Sequence, residues 1–243
     1  EKKAKGWRWN IFKKTGFPLF RIKNPYNLII KAGRWFFIFD LIKALFRSTF
    51  LTEYFLEKNL QVYATKLNGE LLDIGCGTKP YQKFFPHIKK YVGLDQTDTP
   101  TKSKDIDVVG DALNLPFQNE SFDSVLSTQT LEHVKDPQKM IFEVARVLKK
   151  GGKVLLTAPL TWEIHDEPND YFRFTPFGLR ELFEKAGLKV LEIKSLGGLW
   201  AAAGQTYLNA MYHTFGHKPI LKNLLPLIYF GENLSFFLFD QIF

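Results

Sequence analysis

A glycine turn and two later aspartates are the residues whose types and spacing most directly suggest ligand binding. Residues 71–80 read LLDIGCGTKP, so Gly75 and Gly77 follow an apolar run and let a ligand approach the backbone closely. Asp95 ends the next apolar run about 20 residues later, where a carboxylate can accept both hydroxyls of a ribose. Asp111 follows a third apolar run, where a carboxylate can accept a hydrogen bond from the amino group of an adenine. Together these positions predict a site for a nucleoside-containing ligand.

Alternating strand and helix signals must position these residues. The sequence predicts strands at 69–74, 91–94, 106–109, 122–127, 153–158 and 188–195, and helices at 50–67, at 137–149 before Gly151-Gly152, and from Pro176 with Thr175 as N-cap. Strands separated by helices predict an α/β fold, with a doubly wound, mostly parallel sheet and helices on both faces. Ligands of such sheets lie beyond the carboxyl ends of the strands, so the functional residues are expected in the loops that follow strands.

Four segments carry a resemblance to a known family. They read LLDIGCGTKP, VGLD, GDALNLPFQNESFDSVLSTQTLEHV and EVARVLKKGGKVLLTAP, and in them the chain resembles the class I S-adenosylmethionine-dependent methyltransferases of the type-11 subgroup. The resemblance spans residues 69–187, roughly half of the chain. It implies a Rossmann-like methyltransferase fold, S-adenosylmethionine as cofactor, and an enzyme that transfers a methyl group.

The resemblance also assigns roles to cofactor-binding residues. It implies that Gly75 and Gly77 line the methionine part of S-adenosylmethionine, and that Asp73 orients the glycine loop and contacts an amino group of the cofactor. Asp95 would bind the ribose, and Asp111 and Ala112 would contact the adenine. Gln129 would lie next to the methyl group that is transferred. Lys79 departs from the family pattern, because many relatives have a third glycine there, and this leaves the path of the loop open. A nicotinamide-binding Rossmann protein is the competing interpretation, but its third glycine would fall at Pro80.

Methylation of a hydroxyl also removes a proton, which favours a histidine or carboxylate as general base. His133, after the fourth predicted strand, and His165, after the fifth, are therefore the predicted catalytic residues. Local packing is the alternative for His133, which follows Glu132. No metal site is predicted, and a divalent cation held by Glu132, His133 and Asp166 is the alternative.

The segment after His165 is richer in polar and aromatic residues than a simple connection needs. Asp170, Tyr171 and Arg173 are predicted to bind the acceptor, since a guanidinium can pair with a phosphate or carboxylate. A salt-bridged loop brace is the alternative for Asp170 and Arg173.

The positive charge of the chain lies in an N-terminal arm. The formal net charge is +8, and residues 1–34 alone carry ten basic side chains and one acid, interleaved with Trp7, Trp9 and several phenylalanines. Such a segment suits an anionic lipid surface, where each cation contributes about 1 kcal/mol. A solvated or partner-bound arm is the alternative, and nucleic acid is not an expected partner. The single Cys76 favours a reducing compartment, and therefore the cytoplasm. Together with the basic arm, this predicts a position at the inner face of the cell membrane.

Two apolar segments flank the predicted sheet. Residues 26–46 are broken by charges and predict two amphipathic helices hinged near Gly33 rather than a membrane span, with a helical cap as the alternative. The tail predicts a helix at 200–215 and a lid or membrane-facing segment at 219–243. The expected organisation is an arm with amphipathic helices (1–49), the cofactor-binding domain (50–198) and an apolar helical tail (199–243).

These patterns predict a methyltransferase that acts on an oxygen of a hydrophobic or lipid-linked acceptor, a sugar or a phenol, at the membrane surface. A soluble small-metabolite acceptor and a non-catalytic cofactor-binding or scaffold protein are the alternatives. Because no segment after residue 195 alternates like a strand, a seventh strand of the sheet is expected beyond Phe243.

Overall fold

The computed structural model of the chain describes residues 42–96 and 104–242. The predicted basic arm and most of the segment predicted as amphipathic helices lie outside the described residues. Residues 43–243 group into one compact unit.

Five parallel strands form one sheet in the order β3-β2-β1-β4-β5. The strands are β1 Glu70–Ile74, β2 Lys90–Asp95, β3 Val108–Val109, β4 Phe122–Thr128 and β5 Leu148–Thr157. The central strand β1 pairs with both neighbours, so that Leu72 lies opposite Val92 of β2 and Val125 of β4. Because every pair is parallel, all five carboxyl ends meet at one edge of the sheet.

The helices precede, alternate with and follow the strands along the chain. They are α1 Phe50–Ala64, α2 Pro137–Val147, α3 Pro176–Lys185, α4 Leu199–Phe215, α5 Pro219–Lys222 and α6 Leu225–Ile242. The Asp136 side chain accepts the N–H of Lys139 at the start of α2, and Thr175 accepts the N–H of Gly178 at the start of α3. The predicted Thr175 cap and the proline in the first turn of α3 are confirmed.

Both faces of the sheet are covered, which confirms the doubly wound α/β architecture. On one face, Leu56 and Leu60 of α1 pack with Leu71 and Leu126 of the central strands. On the other face, side chains of α2 pack with the alternate positions of the same strands; the fully buried members are Leu72, Ile74, Val125, Met140, Ile141, Val144 and Val147. Alternate residues of β1 thus face opposite layers, and the strand is apolar except at Glu70, where it begins, and at Asp73.

Two predictions for residues 148–195 are wrong, one on where a helix ends and one on a strand that does not form. The helix predicted to reach Lys149 ends at Val147, and β5 begins at Leu148 and runs through Gly151 and Gly152. The segment predicted as a strand at 188–195 has no regular secondary structure and no strand pairing in the described part of the chain. A groove of about 740 Å³ is lined by both β5 and residues 188–194, so this segment is not bonded to the edge strand and has no ladder partner.

The helical tail is joined to the start of α1 by buried amides. Gln205 of α4 donates to the carbonyl of Ser48 at 2.7 Å, and Asn233 of α6 donates to the carbonyls of Leu45 and Arg47 at 2.8 Å. These contacts connect α4 and α6 to the backbone that leads into α1. Within the described ranges, no helix combines the length and apolar character needed to cross a bilayer.

Candidate active site

The glycine turn that follows β1 is held from two sides. The N–H of Gly75 donates to the carbonyl of Leu94 in β2 at 2.9 Å, and the backbone of Gly75 has a φ of +74°. A Cβ at this position would collide with the side chain of Thr130, which follows β4. Gly77 also has a positive φ, and its N–H donates to Asp95 Oδ2 at 2.8 Å. The turn therefore requires glycine at Gly75 for both its backbone angle and its packing.

Lys79 occupies a left-handed backbone position, with a φ of +53°. Glycine adopts this conformation without strain, whereas a lysine adopts it at a cost. The Lys79 ammonium lies 2.6 Å from Asp107 Oδ2, which also accepts the N–H of Gly93. This ion pair fixes the end of the glycine loop against β2.

Asp95 is the last residue of β2 and is nearly buried. Its Oδ2 accepts the N–H of Gly77, and its Oδ1 accepts the N–H of Gln96 at 2.8 Å. Each carboxylate oxygen has a second lone pair, so both can still accept the hydroxyls of a ribose.

Asp111 lies two residues beyond the end of β3 and is exposed, with its Oδ1 accepting the N–H of Leu113 at 2.8 Å. The neighbouring Ala112 is buried in the core beside the sheet. The predicted adenine contacts therefore lie after the strand next to the one that carries the predicted ribose contact.

Asp73 is 2% exposed, near the carboxyl end of β1. The hydroxyl of Tyr91 donates to its Oδ2 at 2.5 Å, whereas its Oδ1 has no hydrogen-bond partner. Burial raises the pKa of Asp73 to about 7. A buried acceptor without a partner is a position where a ligand cation is stabilising, so the predicted contact with a cofactor amino group fits the residue.

Gln129 follows β4 with a left-handed backbone, φ +51°. Its side-chain amide donates to the hydroxyl of Thr157 at 3.0 Å, at the carboxyl end of β5. Non-glycine residues adopt this conformation at a cost and concentrate at functional sites. S-Adenosylmethionine fits this edge of the sheet, which offers a glycine cradle, an acceptor pair at Asp95 and the unpartnered oxygen of Asp73.

The two predicted catalytic histidines contact each other. Their ring centroids are 4.8 Å apart in an edge-to-face arrangement, although the residues are 32 positions apart in the chain. His133 Nδ1 lies 2.7 Å from the carbonyl oxygen of Asn169, and His165 Nδ1 lies 3.1 Å from the carbonyl oxygen of Glu163. A carbonyl oxygen only accepts, so Nδ1 carries a proton in each ring, and in the neutral ring Nε2 has the lone pair.

Asp170 and Arg173 pair with each other. Both guanidinium amino groups of Arg173 donate to Asp170, at 2.6 and 2.7 Å, and the other donors go to backbone carbonyls of residues 162, 163 and 172. The Arg173 guanidinium holds the pKa of Asp170 well below its usual range. This geometry is that of the loop brace, and a role for either residue in binding the acceptor stays a prediction.

The brace also orients His165. Asp170 Oδ2 accepts the backbone N–H of His165 at 3.0 Å and lies 3.2 Å from its Nδ1. The Tyr171 hydroxyl donates to the side chain of Asn169, whose carbonyl faces His133. Neither the Asp170–His165 contact nor the Asn169–His133 contact is visible in the sequence, because both depend on how the loop folds back.

Glu132 is 1% exposed and lies in a short 3-10 turn, Leu131–His133. Its Oε2 has no hydrogen-bond partner, and its Oε1 lies 3.9 Å from Nε2 of His133. Burial raises the pKa of Glu132 to about 7. The carboxylate therefore faces the histidine pair without a full set of partners.

Known proteins that are similar to this chain are methyltransferases. Residues 72–156 match a family model described as a methyltransferase domain. The 2-methyl-6-phytyl-1,4-hydroquinone methyltransferase of Spinacia oleracea is 32% identical over 105 residues, which are 38% of this chain and 28% of that protein. The demethylmenaquinone methyltransferase of Staphylococcus saprophyticus is 30% identical over 137 residues, 50% of this chain and 59% of that protein.

Among solved structures, the chain is similar to phosphoethanolamine N-methyltransferase 2 of Haemonchus contortus in complex with S-adenosyl-L-methionine. The TM-score is 0.49 at 18% identity, over 80% of this chain and 55% of that chain. The chain thus spans less than two thirds of the length of each of these three proteins.

Proposed function

Because residues 72–156 match a methyltransferase-domain family model, we propose that the protein transfers a methyl group from S-adenosylmethionine to an oxygen of a hydrophobic or lipid-linked acceptor. The observation that carries the proposal is the pair His133 and His165, whose Nε2 lone pairs lie in the loops after β4 and β5. The turn that contains His133 begins directly after Thr130, which packs on Gly75. A base at this position lies next to the predicted cofactor cradle.

S-Adenosylmethionine would supply, when bound, a methyl group on a sulfonium: the acceptor oxygen would bond to the methyl carbon while the carbon–sulfur bond breaks in line, and S-adenosylhomocysteine would leave with the bonding electrons on sulfur. The protein contributes position, because methyl transfer neutralises charge and needs little further stabilisation. Asp95, Gly77 and the unpartnered Asp73 oxygen are the groups that hold the ligand in place.

His165 is the proposed general base for the acceptor hydroxyl. Asp170 lies 3.2 Å from its Nδ1 and fixes the ring, so that Nε2 is left to take the proton. Arg173 in turn fixes Asp170. His133 is the second candidate, since its ring is oriented in the same way by the carbonyl of Asn169.

The hydrophobic acceptor is supported by two relatives, which are named for a phytyl-substituted hydroquinone and for demethylmenaquinone. An aromatic ring with an oxygen substituent and an apolar chain is the acceptor class in closest accord with these names. A phenol is therefore favoured over a soluble metabolite as the first acceptor to test.

A position at the cytoplasmic face of a membrane is part of the proposal. Exposed apolar side chains on α4 and α6 support it; they include Trp200, Tyr207, Tyr212, Leu227, Leu238 and Phe239. The ten basic residues of the N-terminal arm would add attraction to anionic lipid.

Methyl-labelled S-adenosylmethionine tests the proposal. The purified protein is incubated with a membrane lipid extract or with a soluble metabolite fraction, and we expect label in the lipid fraction on an oxygen atom, located by mass spectrometry. Asp95→Ala serves as the variant without a ribose acceptor. Label in the soluble fraction alone would reject the lipid-linked acceptor. Cofactor binding without label in either fraction would favour the non-catalytic alternative.

A further inference from the structure

Glu132, His133 and His165 bring one carboxylate and two imidazoles together, and we infer that they form a binding site for a divalent transition metal ion. One ligand atom from each residue lies within 4.8 Å of the other two. The sequence pattern suggested Asp166 as the third ligand, and the fold places His165 in that role. The inference does not depend on the proposed methyl transfer.

Both histidines are arranged as metal ligands are in proteins. A ligating histidine usually donates its other ring N–H to a carbonyl or a carboxylate, which fixes the ring and its tautomer. His133 Nδ1 faces the carbonyl of Asn169, and His165 Nδ1 faces the carbonyl of Glu163 and the carboxylate of Asp170. Both outer contacts are therefore in place while the Nε2 lone pairs are left for an ion.

Glu132 supplies the independent indication that a cation belongs here. Its side chain is 1% exposed, and Oε2 has no partner, although an ionised carboxylate is costly to bury without one. The nearby guanidinium of Arg173 donates to Asp170 and to backbone carbonyls. An ion between Glu132 and the histidines would give this buried carboxylate a cationic partner.

The ligand atoms must close around an ion from separations of up to 4.8 Å. Metal bonds to nitrogen and oxygen of about 2.0–2.2 Å place tetrahedral ligand atoms about 3.4 Å apart. His133 Nε2 and Glu132 Oε1 are 3.9 Å apart, so a modest side-chain rotation brings them to that distance. The two histidine side chains are 22% and 29% exposed, which leaves an open coordination position toward solvent.

Donor chemistry selects the class of ion. Two imidazoles and one carboxylate suit zinc, cobalt, nickel or iron, whereas magnesium and calcium prefer oxygen ligands alone. Three protein ligands with an open position also match a site that exchanges its fourth ligand. In the metal-bound state the Nε2 lone pairs are no longer available as a base, and an acceptor oxygen on the ion would itself become more acidic.

Cobalt(II) is the probe for the test, because its visible spectrum distinguishes low coordination numbers from the hexaaqua ion. Untagged protein is stripped with a chelator and titrated with Co²⁺ in the absence of S-adenosylmethionine and acceptor. We expect one equivalent to produce an intense absorption band that zinc abolishes by displacement. His165→Ala and Glu132→Gln should each weaken Co²⁺ binding by about 100-fold. Loss of a residue that only contacts a ligand typically weakens metal binding by about 10–100-fold, and loss of a ligand itself should weaken it at least as much.

His87→Ala is the matched control, because His87 lies near the carbonyl of Leu67, which precedes β1 at the opposite edge of the sheet. It should bind Co²⁺ as the unchanged protein does. The inference is overturned if no band of low-coordinate cobalt forms, or if His165→Ala and Glu132→Gln bind cobalt normally. Because neither cofactor nor acceptor is present, such a result would not bear on the methyl transfer experiment.

Discussion

Asp73 is expected to make the folded protein less stable as the pH rises. Burial raises the pKa of Asp73 from its ordinary 3.8 to about 7, although the Tyr91 hydroxyl favours the charged form. Between these two values the folded protein holds a proton that the unfolded chain has released. The contribution to the free energy of unfolding is therefore present below this window, falls through it and is lost above about pH 7.

The size of the effect follows from the two pKa values. Each pKa unit corresponds to about 1.4 kcal/mol, so the free energy of unfolding should contain about 3 kcal/mol more from Asp73 at pH 5 than at pH 8. Asp73→Asn keeps the size of the side chain and an acceptor for Tyr91, but has no carboxyl group to titrate. The difference between the two proteins isolates the contribution of Asp73 from all other titrating groups.

Urea unfolding of both proteins at pH 5 and pH 8 measures this difference. The stability of the unchanged protein relative to Asp73→Asn should fall by about 3 kcal/mol between the two pH values. Tyr91→Phe, which removes the hydroxyl that favours the charged carboxylate, should extend the fall to higher pH. A relative stability that is constant or rises with pH would refute the reasoning.

Four further predictions concern the cofactor, the base and the arm. S-Adenosylmethionine should release a proton from Asp73 on binding near pH 6.5, measured by calorimetry in buffers of different ionisation enthalpy; a lack of buffer dependence would exclude the contact. Asp95→Ala should weaken cofactor binding by roughly 1–3 kcal/mol in the same assay, because two ribose hydroxyls lose their acceptor, and unchanged affinity would contradict the assignment. His165→Ala should lower turnover by about 10²–10⁴ with near-normal cofactor affinity, whereas His87→Ala should not, and equal turnover would remove His165 as the base. Deletion of residues 1–34 should weaken binding to anionic vesicles in a sedimentation assay and spare cofactor binding; equal vesicle binding would reject the arm as a membrane contact.

The sequence was sufficient to place the candidate site at one edge of the sheet. Buried parallel strands are apolar along their length, so a polar residue at the end of each run marks the carboxyl end of the strand. Asp95 at the last position of β2 and Gln129 after β4 follow this rule, and Asp73 interrupts β1 one residue before its end. This local signal depends on neighbouring residues only, and it was reliable for that reason.

Strand pairing depends on distant residues, and here the sequence misled. Residues 188–195 alternate as an edge strand does, but a strand exists only where another backbone accepts its hydrogen bonds. The groove between this segment and β5 shows that no such partner is adjacent in the described chain. Gly151 and Gly152 predict the end of a helix, because glycine is common just after a helix. In the structure both glycines lie within β5, so the helix ends earlier than their position indicates.

The contacts that give the candidate site its chemistry are the part that no spacing rule could supply. His133 and His165 each follow a strand in the expected order, but their contact requires the loop after β5 to return across the end of β4. Asp170 and Arg173 make that return stable, since the aspartate binds the backbone of His165 and the arginine binds the carbonyls of residues 162 and 163. The polar residues predicted to hold the acceptor thus hold the loop, and through it they set the distance between the two imidazoles on which both the base and the metal site depend.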